Sequence, residues 1–124
     1  MNYKSKKIWL TQERTKYTTV RIYNNHKDMI SFYRKHTGVN DSILGASLHY
    51  ELLCNNVLTK DVGIVLLSKE NLSIGIVCHE LMHAVLWAWK HKEFKKQHPI
   101  IIHSMNQEEY LLHNLTFAIN QFYK

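Results

Sequence analysis

Proline occurs once and glycine four times in the 124 residues, so no Pro/Gly/Ser-rich linker divides the chain, and one domain with a core of ordinary size is expected. Cysteine is nearly as scarce. Cys54 and Cys78 are too few for a disulfide scaffold and form no CxxC pair for a zinc knuckle, which favours a reducing compartment. Internal repeats and low-complexity tracts are missing. The opening stretch MNYKSKKIWLTQER is basic but holds only Ile8-Trp9-Leu10 as an apolar run, so it lacks a signal-peptide core and argues against secretion by that route. A membrane span is also rejected. The run from Leu72 to Trp89 approaches the required length, yet it carries two His and a Glu near its centre, where such groups are costly.

Negative charge is the minority sign: 10 Asp and Glu face 16 Lys and Arg, for a formal net charge of +6. The lysines gather at Lys4, Lys6 and Lys7 and again from Lys90 through Lys92, Lys95 and Lys96. Such a surface can attract nucleic acid or an acidic partner. No RNP-type aromatic motif or zinc finger accompanies it, and solvated surface charge with helix-end complementation is the simpler account.

Along the chain, Thr18 to Tyr23 alternates in the manner of a strand. Asn25 is placed to cap a helix running through Asp28 to about His36, with Met29, Ile30 and Tyr33 on one face and Gly38 at its C-terminus. A loop over 39–45 precedes a second strand from Ala46 to Leu53, a turn at Asn55-Asn56, and a third strand from Gly63 to Leu67 that is apolar enough to be buried on both faces. The second and third strands are expected to be neighbours. From Leu72 the period changes, and Leu72, Ile76, His79, His83, Leu86 and Lys90 share one face of the longest helix. Ile100 to Ile102 suits a short strand or a packed loop. Ser104 and Gln107 match a capping box for the last helix, whose apolar stripe runs from Leu111 to Phe122.

Inside the longest helix stands CHELMHAVLWAW, residues 78–89. Residues four apart on a helix stack on one face, so His79 and His83 can direct ring nitrogens at one ion roughly 2 Å from each. Glu80 lies about 100° around from His79, outside that coordination yet near enough to serve as general base toward a metal-activated water. Such groups set among Ile74, Ile76, Val77, Leu81, Val85 and Trp87 need partners, which a metal ion provides. The competing reading is two histidines and a glutamate hydrogen-bonded in a core.

Two histidines require a third protein ligand. A His six residues after His83, as in metzincins, is missing, because Trp89 stands there. Glu108 and Glu109 open the last helix, and Glu108 is preferred because it shares a face with Leu112, Leu115, Ile119 and Phe122 and so is expected to point toward the core. Glu109 remains the alternative ligand, or pairs with His113 to orient one. Either acid also suits a first helical turn for electrostatic reasons alone.

With HELMH, an apolar strand before it and a glutamate-bearing helix after it, the chain resembles a minimal gluzincin. The order VRIY, short helix, GIVLLS, SIGIVCHELMHAVLWAW and NQEEYLLHNL is similar to small HExxH metallopeptidase-type proteins of bacteriophages and prophages, over about residues 18–122. That resemblance implies an α+β, zincin-like minimal domain spanning 1–124 and one zinc ion on His79, His83 and Glu108, with Glu80 as base. It also implies that the strand before the active helix, Gly63, Ile64, Val65, Leu66, Leu67 and Ser68, offers its edge to an extended peptide. A cytoplasmic location in a bacterial host follows if the chain is phage-encoded, with virion association as a further possibility. The NExxSD form of the glutamate helix is lacking, as is the cysteine-rich ribbon of SprT-like proteases. Cys54 sits in YELLCNNVL rather than the EGCLS motif of peptide deformylases.

Peptide hydrolysis also requires an oxyanion-stabilising group from outside the HExxH helix, for which Tyr110, His103 and His113 are candidates. Two functions are carried forward: a zinc-dependent peptidase or amidase acting on a peptide or protein, and a catalytically inactive zinc-stabilised binding module meeting nucleic acid or a virion protein.

Overall fold

The computed structural model describes residues 2–50, 53–54, 57–90 and 107–124. They form a small α+β domain in which a four-stranded mixed sheet of order β1-β2-β6-β3 carries helices on both faces. The strands are β1 (Tyr3–Trp9), β2 (Tyr17–Tyr23), β3 (Ala46–His49) and β6 (Asp61–Ser68), while β4 (Leu53–Cys54) and β5 (Val57–Leu58) pair in a separate ribbon. The helices are α1 (His26–Thr37), α2 (Ile74–Lys90) and α3 (Gln107–Phe122).

Both ends of α1 and the start of α2 have local causes. Asn25 is extended, and its side-chain oxygen accepts from the Asp28 amide at 2.9 Å, while Gly38 closes α1 in the left-handed conformation with φ 71°. Ser73 caps α2, its hydroxyl accepting from the Ile76 amide at 3.2 Å. Between β6 and α2 a short 3-10 turn, Lys69–Asn71, turns the chain, and the Glu70 carboxylate accepts from the His26 amide at 2.9 Å to hold the start of α1.

Alternation along the strands sorts side chains between two cores. Val20, Val65 and Leu67 face α2 and α3 and pack with Val77, Leu81, Val85, Leu111 and Ala118. Tyr23, Leu66 and Ala46 face the other way, onto Met29 of α1. The strand from Gly63 to Leu67 is thus central and buried on both faces, as its composition predicts.

Three expectations change. Tyr3–Trp9, read only as a basic N-terminal stretch, is a full strand antiparallel to β2, with Ile8 completely buried while Lys4 and Lys7 stay exposed. The strand expected over 46–53 pairs with β6 only through His49, and Leu53–Cys54 turns instead to β5. Most consequential for the site, β6 has no free edge: β2 lies parallel on one side and β3 antiparallel on the other. The edge proposed for a substrate at Gly63, Ile64, Val65, Leu66, Leu67 and Ser68 is therefore occupied, and the outer strand beside α2 is β3. The expected feature at Ile100–Ile102 and the Ser104 cap lie outside the described residues.

Candidate metal centre

Helix α2 lies across the sheet with two different sides. Its core side is Val77, Leu81, Ala84, Val85 and Ala88, spaced three and four apart and essentially inaccessible. His79 and His83 stand on the other side and are exposed. The sequence suggested imidazoles enclosed by apolar residues. Instead the apolar side chains cover the sheet while the rings face an open cavity of about 500 Å³.

The two imidazoles come together as one helical turn requires. Their Nε2 atoms are 3.1 Å apart and the ring planes stand at 83°. Two nitrogens each about 2 Å from one tetrahedral ion lie roughly 3.3 Å apart, so the pair fits a shared ion with little adjustment. The Glu80 carboxylate completes the cluster: ligand atoms of His79, Glu80 and His83 all lie within 4.8 Å of one another. This group could hold a metal ion.

Glu80 differs from its neighbours in being buried, at 6% exposure. It lies against the start of β3, where the Ser47 hydroxyl is 2.8 Å from the Glu80 carbonyl oxygen and 3.3 Å from its Oε1, and donates to them. The chain passes so close at Gly45 that a Cβ there would stand 3.2 Å from the Glu80 Cγ, from the Ile76 Cγ2 and from the Leu66 carbonyl oxygen. Only glycine fits without displacing one of them. The glutamate is thereby pinned between β3 and its own helix, with its carboxylate beside the two rings.

Two residues beyond Ser47 on the same strand face, His49 brings a third imidazole into the cavity wall. Its ring stacks on Trp87, with centroids 5.5 Å apart and planes within 10°. Burial first, and the nearby His83 second, push its pKa down to about 4, while the Val62 backbone opposes them. Among the described residues, no hydrogen bond of acceptable geometry reaches either of its buried ring nitrogens. Neither Ser47 nor His49 was singled out from the sequence. The available signal was a polar residue at alternate positions of ASLH, on the side of the strand that turns toward the helix.

The remaining candidates that the structure describes do not join this cluster. Glu108 and Glu109 are both exposed, and neither belongs to the His79–Glu80–His83 cluster. The expectation that Glu108 points into the core fails because the stripe chosen for it is partly a surface stripe, with Leu112 at 62% exposure, whereas α3 buries Tyr110, Leu111, Asn114 and Ala118. Tyr110 is buried against Trp89 and donates to Glu13 at 3.3 Å. Burial pushes its phenol up to about 12, with Asn114 opposing and Glu13 adding to the shift. His113 lines a different cavity, beside Gln12 and Asn120. His103 is outside the described residues. Cys78 is a half-buried free thiol on α2 and is not part of the cluster.

No described helix is long and apolar enough to cross a membrane. Comparison of the chain with protein-family models, with curated proteins and with solved structures gives no match.

Proposed function

We propose that the chain is a zinc-dependent metallopeptidase of zincin-like architecture, in which His79 and His83 hold the ion and Glu80 is the general base. The observation that carries this reading is the 3.1 Å separation of the two Nε2 atoms on the open side of α2, with a buried carboxylate inside the same 4.8 Å cluster. Zinc bound there supplies an acidified water and polarises a carbonyl. Glu80 accepts the proton at its carboxylate and returns it to the leaving amine. Ser47 and the close approach at Gly45 restrict the rotation of Glu80, so that its carboxylate stays beside the rings.

The substrate edge in this reading moves from Gly63–Ser68 to β3. An extended peptide would pair with the outer side of Ala46–His49, along the wall of the cavity that holds both histidines.

Metal analysis of the purified chain, reconstituted with zinc, tests the reading. One equivalent is expected in the wild type and in Glu80→Gln, and much less in His79→Ala or His83→Ala. Hydrolysis of a peptide library should vanish in Glu80→Gln while its zinc remains. Zinc lost with Glu80→Gln would make that carboxylate a ligand and remove the base. Glu108→Ala and Glu109→Ala belong in the same series, since loss of zinc in one of them assigns the third ligand to that residue. If zinc raises the melting temperature and no peptide is cleaved, the binding-module reading takes over.

A further inference from the structure

A second cavity of about 430 Å³ adjoins the first and shares Ile43, Gly45, His79 and Glu80 with it. Its own walls are Leu44, Gly75 and Ile76. Apart from His79 and Glu80, none of these residues offers a charge or a hydrogen-bonding side chain. The surrounding surface is apolar too. Leu44 is 56% exposed, and Ile74, next to Gly75 at the start of α2, is 67% exposed. Isolated apolar side chains need no explanation, but here two of them flank an apolar cavity, which suits a site for an apolar group.

The position of this cavity limits what can occupy it. Residues 43–45 run directly into β3, so a chain laid along the outer side of β3 reaches the cavity at one end, next to Glu80. Resting on the metallopeptidase reading, we propose that this cavity is a specificity pocket that takes a bulky aliphatic or aromatic side chain adjoining the cleaved amide. The substrate class is therefore a peptide with a large apolar residue beside the cleaved bond.

Gly75 provides the handle. Gly75 lines the cavity, and a Cβ built on it meets only the Ser73 hydroxyl oxygen, at 4.0 Å, so a side chain can be added to this wall without straining the helix. Two zinc-binding probes that differ by one isobutyl group, N-acetyl-glycine hydroxamate and N-acetyl-leucine hydroxamate, are titrated calorimetrically into the zinc-loaded protein. The leucine probe is expected to bind roughly tenfold to a hundredfold more tightly in the wild type, the gain from burying one aliphatic side chain. Gly75→Leu should erase that preference while zinc content, measured on the same samples, is unchanged. Equal affinity of the two probes for the wild type overturns the pocket and leaves the metal centre standing. A preference that survives Gly75→Leu places the side chain elsewhere and overturns the pocket as well. Failure of both probes on protein that retains zinc, or failure to load zinc at all, overturns the metallopeptidase reading and the pocket with it.

Discussion

His49 is held neutral by its surroundings in the folded chain, with a pKa of about 4 against 6.5 for a free imidazole. As the pH falls below 6.5 the unfolded chain takes up this proton first, so the folded state loses stability progressively down to about pH 4. Urea unfolding of the metal-free protein should therefore give a lower midpoint at pH 5 than at pH 7.5. His49→Phe, which keeps a ring against Trp87, should flatten that difference. An equal drop in both proteins would assign it to other groups. The sequence revealed His79, Glu80 and His83 because all three sit on one helix, where the spacing alone fixes their relation. Ser47 and His49 stayed hidden because they meet the cluster from another element, and no local pattern encodes which strand lies beside which helix. The inner side of α3 was misjudged for a related reason: the helix carries more apolar residues than it buries, so counting them did not identify it.

Among the elements, β6 depends on a single conformational exception. Gly63 has φ of 155°, and a Cβ there would stand 2.2 Å from the Leu48 carbonyl oxygen and 3.0 Å from the His49 Cα. Gly63→Ala must push β3 away from β6 and is expected to cost at least about 2 kcal/mol. Because β3 carries Ser47 and His49, the same variant should also loosen the wall beside Glu80. Chemical denaturation measures the first effect, and a stability within about 0.5 kcal/mol of wild type would show that the strands tolerate the added methyl. The first helix was legible from its caps at Asn25 and Gly38, the other two from the spacing of their apolar residues, and the two central strands from alternation and from a continuous apolar run. The first strand was not, because Lys4, Ser5, Lys6 and Lys7 give it a polar sequence and only Ile8 reaches full burial. Its strand state comes from pairing with β2 along its whole length, a long-range cause.

At the scale of the whole molecule, side chains join the two ends of the chain: Lys6 Nζ donates to the Phe122 carbonyl at 3.3 Å, and Gln121 grips Trp9. The Gln121 amide, on α3, accepts from the Trp9 backbone N–H at 2.8 Å and donates to the Trp9 carbonyl at 2.8 Å. It also donates to the Phe117 carbonyl at 3.2 Å. Gln121→Ala removes both links to β1 and is expected to lower stability by about 2 kcal/mol, at roughly 1 kcal/mol for each bond. Hydrogen exchange should then quicken at the start of the chain before it quickens in β6. Unchanged exchange along β1 would mean that the ladder to β2 and the burial of Ile8 hold it without Gln121.

The Gln121 amide bonds to Trp9 much as another strand's peptide group would. Together with Lys4, Lys6 and Lys7 it blunts one border of the sheet against further pairing. Among the described residues, the opposite border, Ala46-Ser47-Leu48-His49, has neither a lysine nor a further strand beside it. A molecule with one receptive border can add a strand once and then has nowhere to continue. If two copies join through β3, growth ends at a dimer, and the sheet cannot extend into a filament.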